Sequence, residues 1–284
     1  MTERKKKEYR IPLVAALIVL LIACVFSIEA LTAAGADYRL PFVGFGGTFR
    51  YPDVTLGGMR FSLYWSFFII GIMGMCIISY VRREEIGISP LKSLLTGVLI
   101  AVFGFIGAKL LYIIEDFRSV LANGIGFAGI SFFGTVFFMP AAIPLISRIL
   151  GIRKKGFMDF CAPAGVLMLA ILRLGCFTRG CCGGILVMVG LRPWIPPVQL
   201  VECALDLMLL GMLLHPAVKQ RFRGVLYALL MGAYGVIRFL LEFLRDTPKR
   251  ILGMSNGQIF SLIAVAAAAA VLILYFRKKR APRS

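Results

Sequence analysis

The chain of 284 residues is too apolar and too poor in charge for a water-soluble protein, because 60% of its residues are hydrophobic and only 16% are charged. Its 32 lysines and arginines exceed its 14 acidic residues and give a net charge of +18, which in a soluble protein would suggest nucleic acid as a partner. The basic residues stand in short runs between apolar segments, as in loops that face anionic lipid, and this pattern excludes nucleic acid. We therefore predict an all-α integral membrane protein whose partner is the lipid bilayer.

Eight apolar segments are each long enough to cross a bilayer as a helix, which takes about 20 residues. The predicted spans are 11–33, 61–80, 93–114, 125–147, 158–175, 198–215, 223–243 and 256–276. Most lysines and arginines fall on one side of the membrane if the N terminus is inside. This distribution predicts that both termini are cytoplasmic, with residues 277–284 forming a basic tail.

The N-terminal region allows two interpretations. Residues 1–38 are predicted as a basic cytoplasmic tail and an anchor helix, yet a basic start, an apolar core and the small residues at 33–36 also describe a signal peptide. The four residues that end at Cys24 even fit a loose lipobox. We favour the uncleaved helix because the apolar run continues past Cys24. Residues 39–60, rich in glycine and aromatic side chains, are predicted as an extracytoplasmic loop.

Ionisable groups within the spans gather near the outer ends of four helices. Each costs about 2.5–3.5 kcal/mol inside a membrane and therefore requires a partner or a function. Buried ion pairs that hold helices in register explain any single pair, but two arginines with carboxylates at one depth favour binding of a phosphate head group. Lys109 also fits a side chain that extends to the interface. The residues are Lys109, Tyr112, Arg173, Glu202, Asp206, Arg238 and Glu242, with Tyr234 one turn before Arg238.

Four blocks join glycine or proline to polar groups at membrane depth: LRLGCFTRGCCGG (172–184), PPVQLVE (196–202), YGVIRFLLEFLRD (234–246) and SNGQIF (255–260). With IGAKLLYIIEDF (106–117) and DFCAPAG (159–165), they resemble the signature blocks of the prolipoprotein diacylglyceryl transferase family, in the same order. The resemblance runs from about residue 60 to 276. It implies a transferase domain at 61–276 with seven transmembrane helices, so that the N-terminal helix makes about eight.

The resemblance also implies an activity: a diacylglyceryl group passes from phosphatidylglycerol to the lipobox cysteine of a preprolipoprotein, and glycerol phosphate is released. The partners would be phosphatidylglycerol and preprolipoprotein signal peptides, without cofactor or metal. The protein would be a multi-pass protein of the bacterial cytoplasmic membrane with an extracytoplasmic active site. Arg173 and Arg238 would hold the phosphate, and Glu242 would orient Arg238 or assist proton transfer. The implied catalytic residues are Arg173, Glu202, Arg238 and Glu242, and the implied lipid-binding residues are Arg173, Arg238, Lys109, Tyr112, Gln199, Tyr234, Gly175 and Gly180.

Three positions depart from the family pattern. A histidine is expected where this chain has Phe133, so the usual base is absent. Asparagine and glutamate are frequent in the family where this chain has Cys176 and Cys181. These departures keep alternatives open: a diverged member that binds or transports anionic phospholipid, or one that transfers a lipid group to another acceptor.

Three cysteines in the block at 172–184 allow three interpretations. We expect Cys176, Cys181 and Cys182 to be small, unreactive side chains, with a disulfide as the second possibility. A metal site has the least support, because the single histidine, His215, is predicted at the inner end of the sixth span. We assign no catalytic role to His215.

Overall fold

A computed structural model describes residues 54–56, 59–61, 63–123, 129–152, 156–185, 187–189, 192–194, 196–251 and 253–280. The predicted anchor helix at 11–33, the basic tail before it and most of the predicted loop at 39–60 lie outside these residues, as does the end of the C-terminal tail. Within the described residues the protein is an all-α polytopic membrane bundle.

Nine helices form the described part of the chain. They are α1 (Leu63–Val81), α2 (Pro90–Glu115), α3 (Phe117–Asn123), α4 (Phe132–Ile149), α5 (Phe157–Arg179), α6 (Val198–Leu214), α7 (Pro216–Arg221), α8 (Leu226–Leu241) and α9 (Asn256–Arg280). Short 3₁₀ turns follow α1 at Arg83–Glu85 and α8 at Glu242–Leu244.

Each predicted span from residue 61 onward coincides with one of these helices. Within the described residues, α1, α2, α4, α5, α9 and α8 with its 3₁₀ turn are long and apolar enough to cross a membrane. Helix α6 has 17 residues and therefore measures about 25 Å. The predicted start of the fourth span at 125 is wrong, because α4 begins at Phe132, after Gly129 has taken a left-handed φ of 77° that a continuous helix cannot contain.

Three short antiparallel hairpins lie in the described residues, one before α1 and two in connections between helices. They pair β1 (Val54–Leu56) with β2 (Met59–Phe61), β3 (Val187–Val189) with β4 (Arg192–Trp194), and β5 (Lys249–Ile251) with β6 (Met254–Ser255). A single bridge between Gly184 and Arg245 joins the segment after α5 to the segment after α8. This bridge brings the ends of two sequence-distant blocks together.

The bundle is packed around α5, which is the most buried of the candidate spans. Small residues let the helices approach closely, as is usual in membranes. A Cβ atom added at Gly134 of α4 would lie 2.1 Å from the carbonyl oxygen of Gly107 in α2, and one added at Gly97 would lie 2.7 Å from the backbone nitrogen of Cys76 in α1. These contacts fix α2 against α1 and α4, while the large apolar side chains exposed along α2 and α9 suit contact with lipid.

Charged residues hold together one end of the bundle, formed by the loop after α1, the start of α5 and the segment around α7. Glu85 forms ion pairs with Arg82 at 2.8 Å and with Lys219 at 2.5 Å. Asp159 in the first turn of α5 accepts hydrogen bonds from the backbone N–H groups of Gly224 and Leu226. We call this the basic end of the bundle. The residues predicted to bind phosphate lie at the opposite end of the same helices.

Candidate active site

Three helices bring two of the predicted arginines to one predicted carboxylate. Arg173 lies near the C-terminal end of α5, Glu202 near the start of α6 and Arg238 in the last turn of α8. The Nη2 atom of Arg173 lies 2.9 Å from Oε1 of Glu202, and Nη1 of Arg238 lies 3.6 Å from Oε2. Glu202 is fully buried, so these charges are held inside the protein. The sequence-predicted core of the site is thus assembled by the fold.

A third arginine, Arg245, completes the cluster and was not among the predicted site residues. It follows the 3₁₀ turn after α8, is 5% exposed, and donates a hydrogen bond from Nη2 to Oε2 of Glu202. Arg245 follows Glu242 by three residues, a spacing that the sequence does show. We call Arg173, Arg238 and Arg245 the arginine cluster.

Each arginine of this cluster keeps a buried N–H group without a hydrogen-bond partner among the described residues. These groups are Nε of Arg173, Nη1 of Arg238 and Nε of Arg245. A buried donor left without an acceptor costs about 1–3 kcal/mol. The cluster therefore concentrates three guanidinium groups at one point, an arrangement that attracts anions.

Glu242 anchors Arg238 to the start of α9. Its Oε2 lies 2.9 Å from Nη2 of Arg238, and its Oε1 accepts a hydrogen bond of 2.8 Å from the Ser255 hydroxyl. Gly257 lies directly against this carboxylate, since a Cβ atom there would lie 2.7 Å from the Glu242 Cδ atom. Because Oε1 is bonded to Ser255 while Oε2 pairs with Arg238, the orientation of the Glu242 carboxylate is fixed. The carboxylate in turn orients the Arg238 guanidinium.

Tyr234 and Gln199 take supporting positions in the site. The Tyr234 hydroxyl accepts a long hydrogen bond of 3.5 Å from Nη2 of Arg173, and the side chain is 1% exposed. Gln199 donates from Nε2 to the carbonyl oxygen of Cys181 at 2.7 Å. Gln199 therefore holds the segment that follows α5.

The two predicted glycines have structural positions. A Cβ atom at Gly175 would lie 3.1 Å from Cβ of Phe67, so this glycine permits close contact between α5 and α1. Gly180 ends α5 with a left-handed φ of 68°. Both glycines thus position the backbone around the arginine cluster, in agreement with a close helix approach.

Lys109 and Tyr112 of α2 contact the connection before α4. The Lys109 ammonium donates a hydrogen bond of 2.8 Å to the carbonyl oxygen of Gly129 and lies 5.3 Å from the centre of the Tyr112 ring. Gly129 packs on Tyr112 so closely that a Cβ atom would lie 2.2 Å from the ring. These two residues thus shape the connection before α4.

A cavity of about 800 Å³ opens beside the cluster. Arg173, Arg238, Arg245 and Glu242 line its polar end, whereas Glu202 lies behind the arginines and is not part of the wall. The wall follows α5 from Cys161 to Arg179, a distance of about 27 Å along the helix axis. The rest of the wall is largely apolar and includes Met75, Ile100, Met139, Ile143, Leu230 and Met231.

Phe133, at the position where the family pattern has a histidine, belongs to an aromatic group in this wall. Its ring centre lies 5.6 Å from that of Tyr234, 5.8 Å from that of Phe137 and 6.0 Å from that of Phe260. The side chain is 4% exposed. The position therefore faces the cavity, as a base would require, but supplies an apolar surface.

Asp206 adds a carboxyl group one turn after Glu202 on the same helix. It is fully buried, and neither carboxyl oxygen has a hydrogen-bond partner among the described residues. It places a third acidic group beside the three guanidinium groups.

A bundle of apolar helices with a buried cluster of arginines and carboxylates beside a long, largely apolar cavity defines a membrane protein with a polar site at membrane depth. Comparison with known families makes this specific. The chain belongs to the prolipoprotein diacylglyceryl transferase family, which it matches over residues 53–274. It is similar to the phosphatidylglycerol–prolipoprotein diacylglyceryl transferases of Clostridium tetani, with 29% identity over 74% of this chain and 91% of the relative, and of Dehalococcoides mccartyi, with 26% identity over 80% and 94%. That of Methylobacillus flagellatus is 33% identical over 53% of this chain and 62% of the relative.

Proposed function

We propose that this protein transfers a diacylglyceryl group from phosphatidylglycerol to the lipobox cysteine thiol of preprolipoproteins and releases glycerol phosphate. The family and the names of its relatives identify a transferase of lipoprotein maturation. The observation that supports the reaction in this chain is the arginine cluster at the polar end of a long apolar cavity.

The cavity suits a phospholipid in one orientation. The phosphate would lie against the arginine cluster, because guanidinium groups bind phosphate oxygens with paired hydrogen bonds. The acyl chains would follow the apolar wall along α5, where their burial is favourable. The glycerol carbon that reacts would then lie at the boundary between the two regions.

The reaction forms one carbon–sulfur bond and breaks one carbon–oxygen bond. The thiolate of the acceptor cysteine attacks the glycerol carbon, and the phosphate leaves with both electrons of the broken bond. Negative charge grows on the leaving phosphate, where Arg173, Arg238 and Arg245 are already oriented to stabilise it. The proton of the acceptor thiol must be removed before or during the attack.

The carboxylates of Glu242 and Glu202 have different proposed roles. Glu242 lines the cavity and is the proposed proton acceptor, since a group that receives a proton from the substrate must reach it. Glu202 does not line the cavity and is a positioning residue for all three arginines. Phe133 takes no part in proton transfer and contributes to the apolar wall.

We further propose that Lys109 and Tyr112 act on the lipid indirectly. Gly129 and Ala108 line the cavity, and the Lys109 ammonium binds the carbonyl oxygen of Gly129. The pair would thereby set the shape of the cavity rim.

The proposed location is the bacterial cytoplasmic membrane, with the site open to the extracytoplasmic side. The basic end of the bundle, opposite the arginine cluster, carries the loop charges expected on the cytoplasmic side. Acceptor cysteines exported across that membrane would reach the site from outside.

The test is transfer by the purified protein from labelled phosphatidylglycerol to a lipobox peptide, read as mass added to the cysteine. The variants Arg173→Ala and Arg238→Ala should each abolish transfer or reduce it severely. Arg148→Ala, at the exposed end of α4, is the matched control and should retain wild-type rates.

Unchanged rates in both cluster variants would contradict the phosphate assignment. Binding of phosphatidylglycerol without transfer, under conditions in which a known transferase is active, would contradict the reaction itself. That result would favour the alternative of a lipid-binding or lipid-transporting protein.

A further inference from the structure

Three thiols meet at the polar end of the cavity because of the way α5 ends. Gly180 has a left-handed φ of 68°, its N–H group bonds back to the last turn, and the N–H of Cys181 donates to the carbonyl oxygen of Cys176 at 3.1 Å. This pattern is a Schellman motif, in which the side chains of the two bonded residues come into contact. The helix end therefore places Cys181 against Cys176.

Cys182 completes the group through an unusual backbone conformation. Its φ is 60°, and no other residue in the described part of the chain except glycine has a positive φ. A residue with a Cβ atom rarely takes this conformation, so the turn must be held by its surroundings. The sulfur atoms of Cys176, Cys181 and Cys182 lie within 4.8 Å of one another.

We propose that these three cysteines bind one copper(I) ion as a three-coordinate thiolate site. Metal–sulfur bonds of about 2.3 Å in a trigonal plane separate the sulfurs by about 4 Å, close to the observed spacing. Soft thiolate ligands favour soft ions. A structural zinc site has four protein ligands, whereas in the described residues this group has three thiols and neither a histidine nor a carboxylate, so zinc would need water as its fourth ligand.

Arg173 offsets part of the negative charge of such a site. Three thiolates and one copper(I) ion carry a charge of about −2, which solvent at the exposed Cys182 and the partly exposed Cys181, together with nearby cations, makes tolerable. The Nη1 atom of Arg173 lies 4.0 Å from the Cys176 sulfur, and Arg245 lines the same end of the cavity as Cys181 and Cys182. Binding is not a redox step: the ion enters as copper(I), and the thiol protons leave to solvent.

The binding test uses the full-length protein in detergent, reduced and kept without oxygen, with copper(I) distributed between the protein and a chromogenic copper(I) chelator. We expect one ion per chain. The triple variant Cys176→Ser, Cys181→Ser, Cys182→Ser should lose it. Cys76→Ser is the matched control and should keep it, because Cys76 lies in α1 and bonds to the carbonyl oxygen of Leu94.

X-ray absorption at the copper edge tests the ligand set in the same samples. Three sulfur neighbours and no nitrogen or oxygen neighbour are expected. Copper retained by the triple variant, a spectrum with nitrogen ligands, or a fully reduced wild-type protein that binds no copper would each overturn the proposal. The helix content of the triple variant, measured by circular dichroism, shows that a loss of copper does not result from unfolding.

A functional consequence rests on the proposed function and is measured separately. Copper fixed to Cys176 lies beside Arg173 and at the polar end of the cavity, so it should reduce diacylglyceryl transfer in the wild-type protein. The chelator should restore transfer, and the triple variant should be insensitive to copper. Copper binding requires neither lipid nor peptide, so its failure is distinguishable from a failure of transfer.

Discussion

Replacing Glu202 with glutamine tests the central feature of the site, because one carboxylate contacts all three arginines. The change keeps the shape of the side chain and removes its charge. Arg173 at 2.9 Å, Arg238 at 3.6 Å and the hydrogen-bonded Arg245 then lose their common counter-charge. The ion pair between Arg238 and Glu242 remains.

The magnitude follows from the burial of the group. Removing one partner of a buried ion pair costs about 3–5 kcal/mol, because the other charge remains in a poorly solvated site. A change of about 1.4 kcal/mol in the activation free energy changes a rate tenfold. If the whole cost appears in the transition state, kcat/KM falls about 10²- to 10⁴-fold. The decrease should appear mainly in kcat. The arginines would still attract the phosphate of the substrate, but they would no longer be oriented to stabilise the charge on the leaving group.

The assay compares kcat, KM and the thermal unfolding temperature of the wild-type protein, Glu202→Gln and the matched control Glu85→Gln. Glu85 forms its ion pairs at the basic end of the bundle and is partly exposed, so its loss should leave transfer unchanged. A Glu202→Gln protein with wild-type kcat/KM would refute the positioning role. A loss of stability with an unchanged kcat would show that Glu202 serves the fold alone.

Three further expectations concern single positions. Arg245→Ala should reduce transfer as severely as loss of either predicted arginine, because its buried guanidinium shares the same carboxylate; the transfer assay measures this. Gly257→Ala should lower kcat, because the new Cβ atom would lie 2.7 Å from the Glu242 carboxyl carbon and must displace it. Burial raises the pKa of Glu85, but hydrogen bonds and charges from Arg82 and Lys219 outweigh it and hold the pKa below its usual value of about 4.3. The stabilisation from Glu85 is therefore complete above that pH and is lost as the pH falls through the lowered pKa, so unfolding temperatures of wild-type and Glu85→Gln proteins should converge in acid.

The sequence predicted the features that depend on local pattern. Runs of apolar residues define helices in a bilayer whatever their neighbours are, so the spans from residue 61 onward correspond to helices. Depth within a span follows from residue number at about 1.5 Å per residue, and this placed Arg173, Glu202 and Arg238 at one level. Their contact required only that the helices be adjacent.

Features that depend on direction around a helix or on loop geometry were not predictable in this way. Lys109 shares the depth of the cluster, but the cavity-facing residues of α2 include Gly104 and Ala108, while the Lys109 ammonium turns to Gly129. Arg245 joins the site because the chain after α8 bridges to Gly184, a contact between distant segments. The meeting of three thiols depends on the left-handed turn at Cys182, which its own sequence does not favour.

The arrangement of charges explains how the arginines are buried and still available to a ligand. Glu202 and Glu242 neutralise the guanidinium groups from behind and from one side, which makes their burial tolerable. Each arginine nevertheless keeps one N–H group without an acceptor, and Arg173, Arg238 and Arg245 line the cavity. An anion in the cavity meets guanidinium groups, whereas a zwitterionic head group also brings a cation close to them. We therefore propose that the site favours a phospholipid with a net negative charge, because a cation in the head group would be repelled by the guanidinium groups.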